Sequence, residues 1–183
     1  MIRAGLIMLS VAAVLTGCGD ATSNDSPFAP GVAPDGQEVD AMLVAHRLMD
    51  AGEHELAIKS YSRAALEQGM TGEVLSGIGS AYLALGRVGQ AEDLLRDAIE
   101  ADETSAESWN NLGVALMEQG KVAEAAQVFR RAYAIDNGES DSIRDNLRLA
   151  LAKIENPVYD AEEEQDYKVV RRGSSDFLIR KIP

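Results

Sequence analysis

The side chains able to do chemistry are few and scattered. The chain has two histidines and one cysteine. His46 and Asp50 stand four residues apart, a spacing that puts an imidazole and a carboxylate on one helix face, where both can ligate a metal. Two ligands alone make a poor site, and no further histidine falls in register. His54 follows a glycine and reads as a solvated residue at a helix start. The carboxylates recur at solvent-facing helical spacing, the pattern of a charged surface. No glycine motif for cradling phosphate is present. The expectation is a non-enzymatic protein with no metal site and no cofactor.

The cysteine is the exception, because of where it stands. Met1-Ile2-Arg3 opens with one positive charge, and Ala4 to Leu15 is an apolar run of signal-peptide length, too short for a stable bilayer span. The run ends in Leu15-Thr16-Gly17-Cys18. This resembles the lipobox of bacterial lipoproteins. The resemblance implies removal of residues 1–17 and acylation of Cys18 on its sulfur and new amino group. The alternative is an ordinary signal peptide followed by a buried cysteine. With Cys18 lipidated, no Cys–His nucleophile set remains. A single cysteine also forbids a disulfide within the chain, so packing alone must stabilise an exported domain.

A net charge of −13 argues against nucleic acid, whose phosphates would repel the chain, and against electrostatic adhesion to anionic lipid. Membrane attachment must come from acyl chains, and two or more hold firmly where one does not. In the lipoprotein sorting rule an aspartate next to the acylated cysteine favours the inner membrane. Here Gly19 takes that place and Asp20 follows, so outer-membrane sorting is favoured, with the inner membrane the alternative. The segment 18–37, with Pro27, Pro30 and Pro34 among Gly, Ser and Asp, reads as a linker. Its mean reach as a flexible coil is about 20–25 Å.

Three segments then align without a gap: 38–71, 72–105 and 106–139. Ala57, Ala91 and Ala125 fall in phase, as do Ala64, Ala98 and Ala132, and Gly52, Gly86 and Gly120. Val44, Ile78 and Leu112 align, each followed by a small residue: Ala45, Gly79, Gly113. Tyr61, Leu95 and Phe129 share another phase. The period and these positions resemble the tetratricopeptide repeat (TPR). The resemblance implies an all-α fold: three helix-turn-helix repeats and a capping helix in a short right-handed superhelix, each repeat burying its apolar face against the next. Helices are expected near 38–50, 54–68, 72–85, 88–101, 106–119 and 122–135, with a cap near 141–154. The glycines end the first helix of each pair, the small residues permit close helix approach, and Trp109 joins the larger side chains filling the gaps. The proline that the family often has near the end of each second helix is replaced by Gly69, Glu103 and Asn137.

Segment 155–183 changes character. An acidic run from Asp160 to Asp166 precedes a basic, β-prone stretch. Tyr167–Arg172 and Phe177–Ile182 read as two strands around Gly173-Ser174-Ser175. Two readings stand: a disordered tail, or a segment that orders on a partner.

TPR arrays offer a concave face lined by the first helix of each pair. By that resemblance the groove is Val39, Met42, His46 and Met49, then Glu73, Ser76, Ser80 and Leu83, then Glu107, Asn110, Val114 and Met117. Small apolar groups and adaptable methionines suit an apolar helix or strand of a protein client. The face lacks the Lys and Arg cluster with which chaperone-binding TPR domains clamp a carboxylate. The alternative for the methionines is core packing. The stretch from Asn110 to Asp136 is similar to the small TPR lipoproteins of tight-adherence (Tad, or Flp) pilus loci, the TadD group, and to the type IV pilotins of the PilF and PilW group. That likeness implies a role in secretin or pilus assembly. A TPR scaffold for cell-wall (peptidoglycan) enzymes is the competing class. Neither nucleic acid nor a small-molecule substrate is expected as a partner.

Overall fold

A computed structural model describes residues 39–155, 167–172 and 176–181. The signal segment, Cys18, the linker, the acidic run and Gly173-Ser174-Ser175 lie outside the described residues. The helices are α1 (Ala41–Asp50), α2 (His54–Gln68), α3 (Gly72–Ala84), α4 (Val88–Ala101), α5 (Ala106–Glu118), α6 (Val122–Ile135) and α7 (Asp141–Glu155). Two strands follow, β1 (Tyr167–Arg172) and β2 (Asp176–Lys181), paired antiparallel with Val170 opposite Leu178. Consecutive helices pack on one another, and the first helices α1, α3, α5 and α7 also neighbour in that order. This is the expected repeat stack.

The chain punctuates the helices in two ways. Each first helix opens on a short polar side chain. Asp40 accepts from the Met42 amide at 2.8 Å, Thr71 from Val74 at 3.3 Å, and Ser105 from Ser108 at 3.2 Å. Such caps satisfy amides that lack an intrahelical partner. The Asp40 cap explains why α1 begins at residue 41 and not 38. Each first helix closes on a glycine in the left-handed region, Gly52 (φ 78°), Gly86 (φ 71°) and Gly120 (φ 73°). The second helices end without proline by different means. Gly69 and Asn137 take positive φ, and Asp102 turns extended while accepting from the Thr104 amide and hydroxyl.

Packing within a repeat depends on a small residue facing a large one. Ala57, Ala91, Ala125, Ala98 and Ala132 are fully buried, and Tyr61, Leu95 and Phe129 stand buried beside them. A Cβ at Gly113 would lie 2.4 Å from the Phe129 ring, and one at Gly79 would lie 2.8 Å from Leu95. A Cβ at Gly77 would likewise lie 2.5 Å from the Tyr61 ring, here between successive repeats. Trp109 packs against this core from its edge. It is half-buried, donates its indole N–H to the Glu103 carbonyl at 2.9 Å, and has the Arg131 guanidinium 6.0 Å from its ring centroid.

Charge adds a tie between repeats two and three. Glu92 on α4 accepts from Lys121 (2.9 Å), Gln119 (2.6 Å) and Arg96 (2.8 Å), and Arg96 also reaches Glu124 at 2.6 Å. Burial pushes the Glu92 carboxyl up, but the bonds from Lys121, Arg96 and Gln119 outweigh it and bring the pKa down to about 2. A carboxyl held below its ordinary 4.5 stabilises the fold above that value. The stabilisation fades as pH falls from 4.5 toward about 2.

Two outcomes follow. Gly113→Ala is expected to cost about 1–3 kcal/mol in urea denaturation, because the buried Phe129 ring has nowhere to move. Adding Phe129→Leu should return part of that loss. Glu92→Gln is expected to cost about 1 kcal/mol at neutral pH. Its midpoint should converge with that of the unaltered chain as the buffer is taken down through pH 4.5 to 2.

Candidate protein-binding groove

The side chains expected to line the groove divide into three groups. Met42 and Met49 are buried in the first-repeat core with Ala45, Ala57, Tyr61, Val74 and Ile78. Met49 is wholly inaccessible, which corrects its expected role as a contact for a client. The reason is geometric: Met49 is four residues on from Ala45, so it shares that residue's inward face. Val39 precedes α1 and is exposed.

The second group keeps an open recess at the front of the concave face. His46, Tyr61, Gly72, Glu73, Ser76, Gly77, Asp102, Ser105 and Glu107 enclose a cavity of about 290 Å³. His46 Nδ1 lies 3.3 Å from the Tyr61 hydroxyl, and its Nε2 lies 3.5 Å from Glu73. Asp50 turns the other way, 3.9 Å from Arg171 of β1. The His46–Asp50 pair, spaced to share a metal, is thus engaged in two directions. Among the described residues no three His, Cys, Asp or Glu side chains gather as a metal cluster.

The third group is covered by the chain's own C-terminal hairpin. β2 lies on α5 and α7. Phe177 and Ile179 enter the core with Leu83, Val114, Met117 and Phe129. The two expected strands form, but they order on the chain's own first helices, which neither reading of the tail anticipated.

What holds β2 is mostly amide chemistry. Asn146 of α7 donates from Nδ2 to the Phe177 carbonyl at 2.7 Å, and its Oδ1 accepts the Ile179 N–H at 2.9 Å. Asn110 of α5 donates to the same carbonyl at 3.0 Å and to the Asp176 carboxylate at 2.6 Å. The Ser142 hydroxyl donates to the other Asp176 oxygen. Asn146 in turn donates to Asn110 Oδ1 at 2.9 Å. The polar ladder continues inward: Asn111 donates to Ser80 at 3.0 Å, and Ser108 to Ser76 at 3.0 Å. All of these asparagines and serines are buried, and Asp176 is half-buried. Burial pushes the Asp176 carboxyl above its ordinary range, against the lowering effect of the bonds from Ser142 and the Phe177 amide.

β1 runs beside the turns that join the two helices of each repeat. Lys168, Val169, Arg171 and Phe177 border a recess with His54, Leu83, Ala84, Gly86, Val88 and Glu118. His54 is therefore half-buried, not solvated as expected, and its Nδ1 has no hydrogen-bond partner. Burial and the neighbouring Arg171 lower its pKa, with Glu53 opposing. Sequence reasoning missed Asn146 and Ser142 as groove residues, and Phe177 and Ile179 as the side chains that fill the groove. The available signal was the Asn146-Leu147 pair echoing Asn111-Leu112 on the capping helix.

Asn146→Ala removes both bonds to the β2 backbone, leaving the buried Ile179 amide unmet and the Phe177 carbonyl with Asn110 alone. Such a loss costs about 1–3 kcal/mol. The expected result is faster hydrogen exchange at the Ile179 amide, with the amides of α3 and α4 little changed.

A tetratricopeptide-repeat sequence profile matches residues 44–106 and again 76–140. Over 52 residues the chain is 42% identical to human and mouse tetratricopeptide repeat protein 7B. That match spans 28% of this chain and 6% of those relatives' length. Among solved structures, the Sgt2 TPR domain from Aspergillus fumigatus superposes with a TM-score of 0.62 at 24% identity, covering 66% of this chain and 81% of that one. The second TPR domain of human RPAP3, determined in complex with an HSP70 peptide, gives 0.56 at 22% identity, covering 61% and 92%. With the repeat stack, the glycine turns and the sequence match in agreement, the chain belongs to the tetratricopeptide repeat family.

Proposed function

We propose that this protein is a lipid-anchored periplasmic scaffold that takes a protein client on the concave face of its repeats. One observation carries the client half of the reading. The buried amides of Asn110 and Asn146 already grip an extended polypeptide backbone. A face that reads backbone groups is suited to a polypeptide more than to a small molecule. The peptide complex of the RPAP3 domain supports the same use of the fold.

The anchor half rests on the Leu15-Thr16-Gly17-Cys18 motif after a short apolar run. Acyl chains on Cys18 would hold the repeats at the membrane, with Gly19 favouring the outer one. In this reading the mechanism is delivery. Lipid fixes one end of the molecule, the groove holds a segment of the client, and the client is brought to the membrane. A secretin or another component of Tad/Flp pilus assembly is the client that the lipoprotein resemblance favours. Peptidoglycan enzymes are the competing clients.

The test is made in the native bacterium. A photocrosslinking residue at Glu107, in the open recess, is expected to give an adduct with the secretin. Cys18→Ala should abolish palmitate labelling, reduce the membrane-bound fraction and lower the yield of assembled secretin. Adducts with peptidoglycan enzymes and unaltered secretin assembly would favour the cell-wall scaffold. Palmitate label that persists in Cys18→Ala would sink the anchor.

A further inference from the structure

We propose that the C-terminal hairpin is a resident ligand of the groove, which a client displaces with an extended segment of the same chemistry: a carboxylate, then an aromatic side chain, then an aliphatic one two positions on. This rests on the reading of the concave face as the client site.

The geometry of Asn146 is the first argument. One primary amide takes the carbonyl of Phe177 and the N–H of Ile179 together, as the peptide group of a neighbouring strand would. Residues i and i+2 offer those two groups on the same edge only when the chain is extended. The contact is to backbone, so it admits any strand whose side chains fit. Fit is set by three neighbours of the clamp. Asp176 meets Asn110 and Ser142, Phe177 is 2% exposed, and Ile179 is 8% exposed. The resident segment Asp-Phe-Leu-Ile thus states the chemistry of its competitor.

The connection of the hairpin is the second argument. The helices follow one another through short turns, whereas residues 156–166 separate α7 from β1. A two-stranded hairpin is marginal on its own, so its order comes from the surface it rests on. Docking is intramolecular and acts like a ligand present at an effective concentration on the order of millimolar. A client needs contacts that the hairpin lacks, and the recess of His46, Glu73, Ser76 and Glu107 is where a longer segment finds them.

The experiment uses the full chain and a fluorescent synthetic peptide of residues 167–181. Anisotropy should show weak binding to the unaltered protein. Phe177→Ala loosens the resident strand without touching the groove, and should bind the peptide at least tenfold more tightly. Asn146→Ala added to Phe177→Ala should remove that gain. Equal binding by the unaltered and Phe177→Ala chains, or binding indifferent to Asn146→Ala, would overturn the proposal. If Phe177→Ala loses helicity, hydrogen exchange on the unaltered chain decides. Amides of β2 exchanging at least a hundredfold faster than those of α5 support a displaceable ligand. Exchange of the two in step makes the hairpin a fixed part of the fold and refutes it. Isotope-mixed crosslinks joining β2 of one copy to α5 of another would give the groove to a second copy, against displacement by a client. The peptide assay needs no cellular client. Its success beside failed secretin crosslinking would discard the client and keep the groove mechanism; its failure beside successful crosslinking would do the reverse.

Discussion

The concave face is organised by the need to satisfy side-chain amides buried inside it. Asn110, Asn111 and Asn146 are wholly inaccessible, and an unmet buried amide costs about 1–3 kcal/mol. Ser76, Ser80 and Ser108 are held in the same interior, and each finds its partner on an adjacent first helix. The ladder therefore aligns α3, α5 and α7 as much as the apolar contacts do. At its outer end the described residues hold no further helix to supply the last partners. The backbone of β2 supplies them. A face built this way is matched to a polypeptide strand, whether it belongs to this chain or to another.

The rest of the stack is simpler in kind. A glycine or alanine on one helix receives a ring or a leucine from an adjacent helix, as Gly113 receives Phe129 and Gly77 receives Tyr61. These contacts are local and repeat with the sequence period. The Glu92 cluster works at the surface between repeats, where one carboxylate collects Arg96 of its own helix with Lys121 and Gln119 of the following repeat. Neither kind of contact involves the hairpin, so the helices have their own reasons to assemble.

That division explains what the sequence made legible. The helix starts and ends followed from a 34-residue period with glycines in phase, because each glycine answers a backbone requirement at its own position. Both strands were visible for the same local reason, as β-prone runs on either side of a turn. Their place was not visible. Docking depends on Asn110 and Asn146 meeting a carbonyl more than thirty residues away from either, and no local pattern encodes that meeting. Met49 was misread because groove-facing and core-facing positions of a first helix are neighbours in sequence, as His46 is to Ala45. His54 was misread because the strand that shelters it arrives from the far end of the chain.

The hairpin also changes how the domain must fold. In a linear repeat array each unit touches its neighbours alone, so folding spreads by short-range contacts and the ends fray independently. Here β1 returns from beyond the last helix to the end of the first, where Arg171 lies 3.9 Å from Asp50, and Phe177 packs with Leu83 on the way. The array becomes a circuit. Closing it brings together parts of the chain separated by nearly the whole domain, a loop-closure entropy that local helix pairing does not incur. High contact order slows such a step relative to the helices that precede it. The strap is also the last of these elements to leave the ribosome, so newly made repeats pass through a stage in which the amide ladder ends in water.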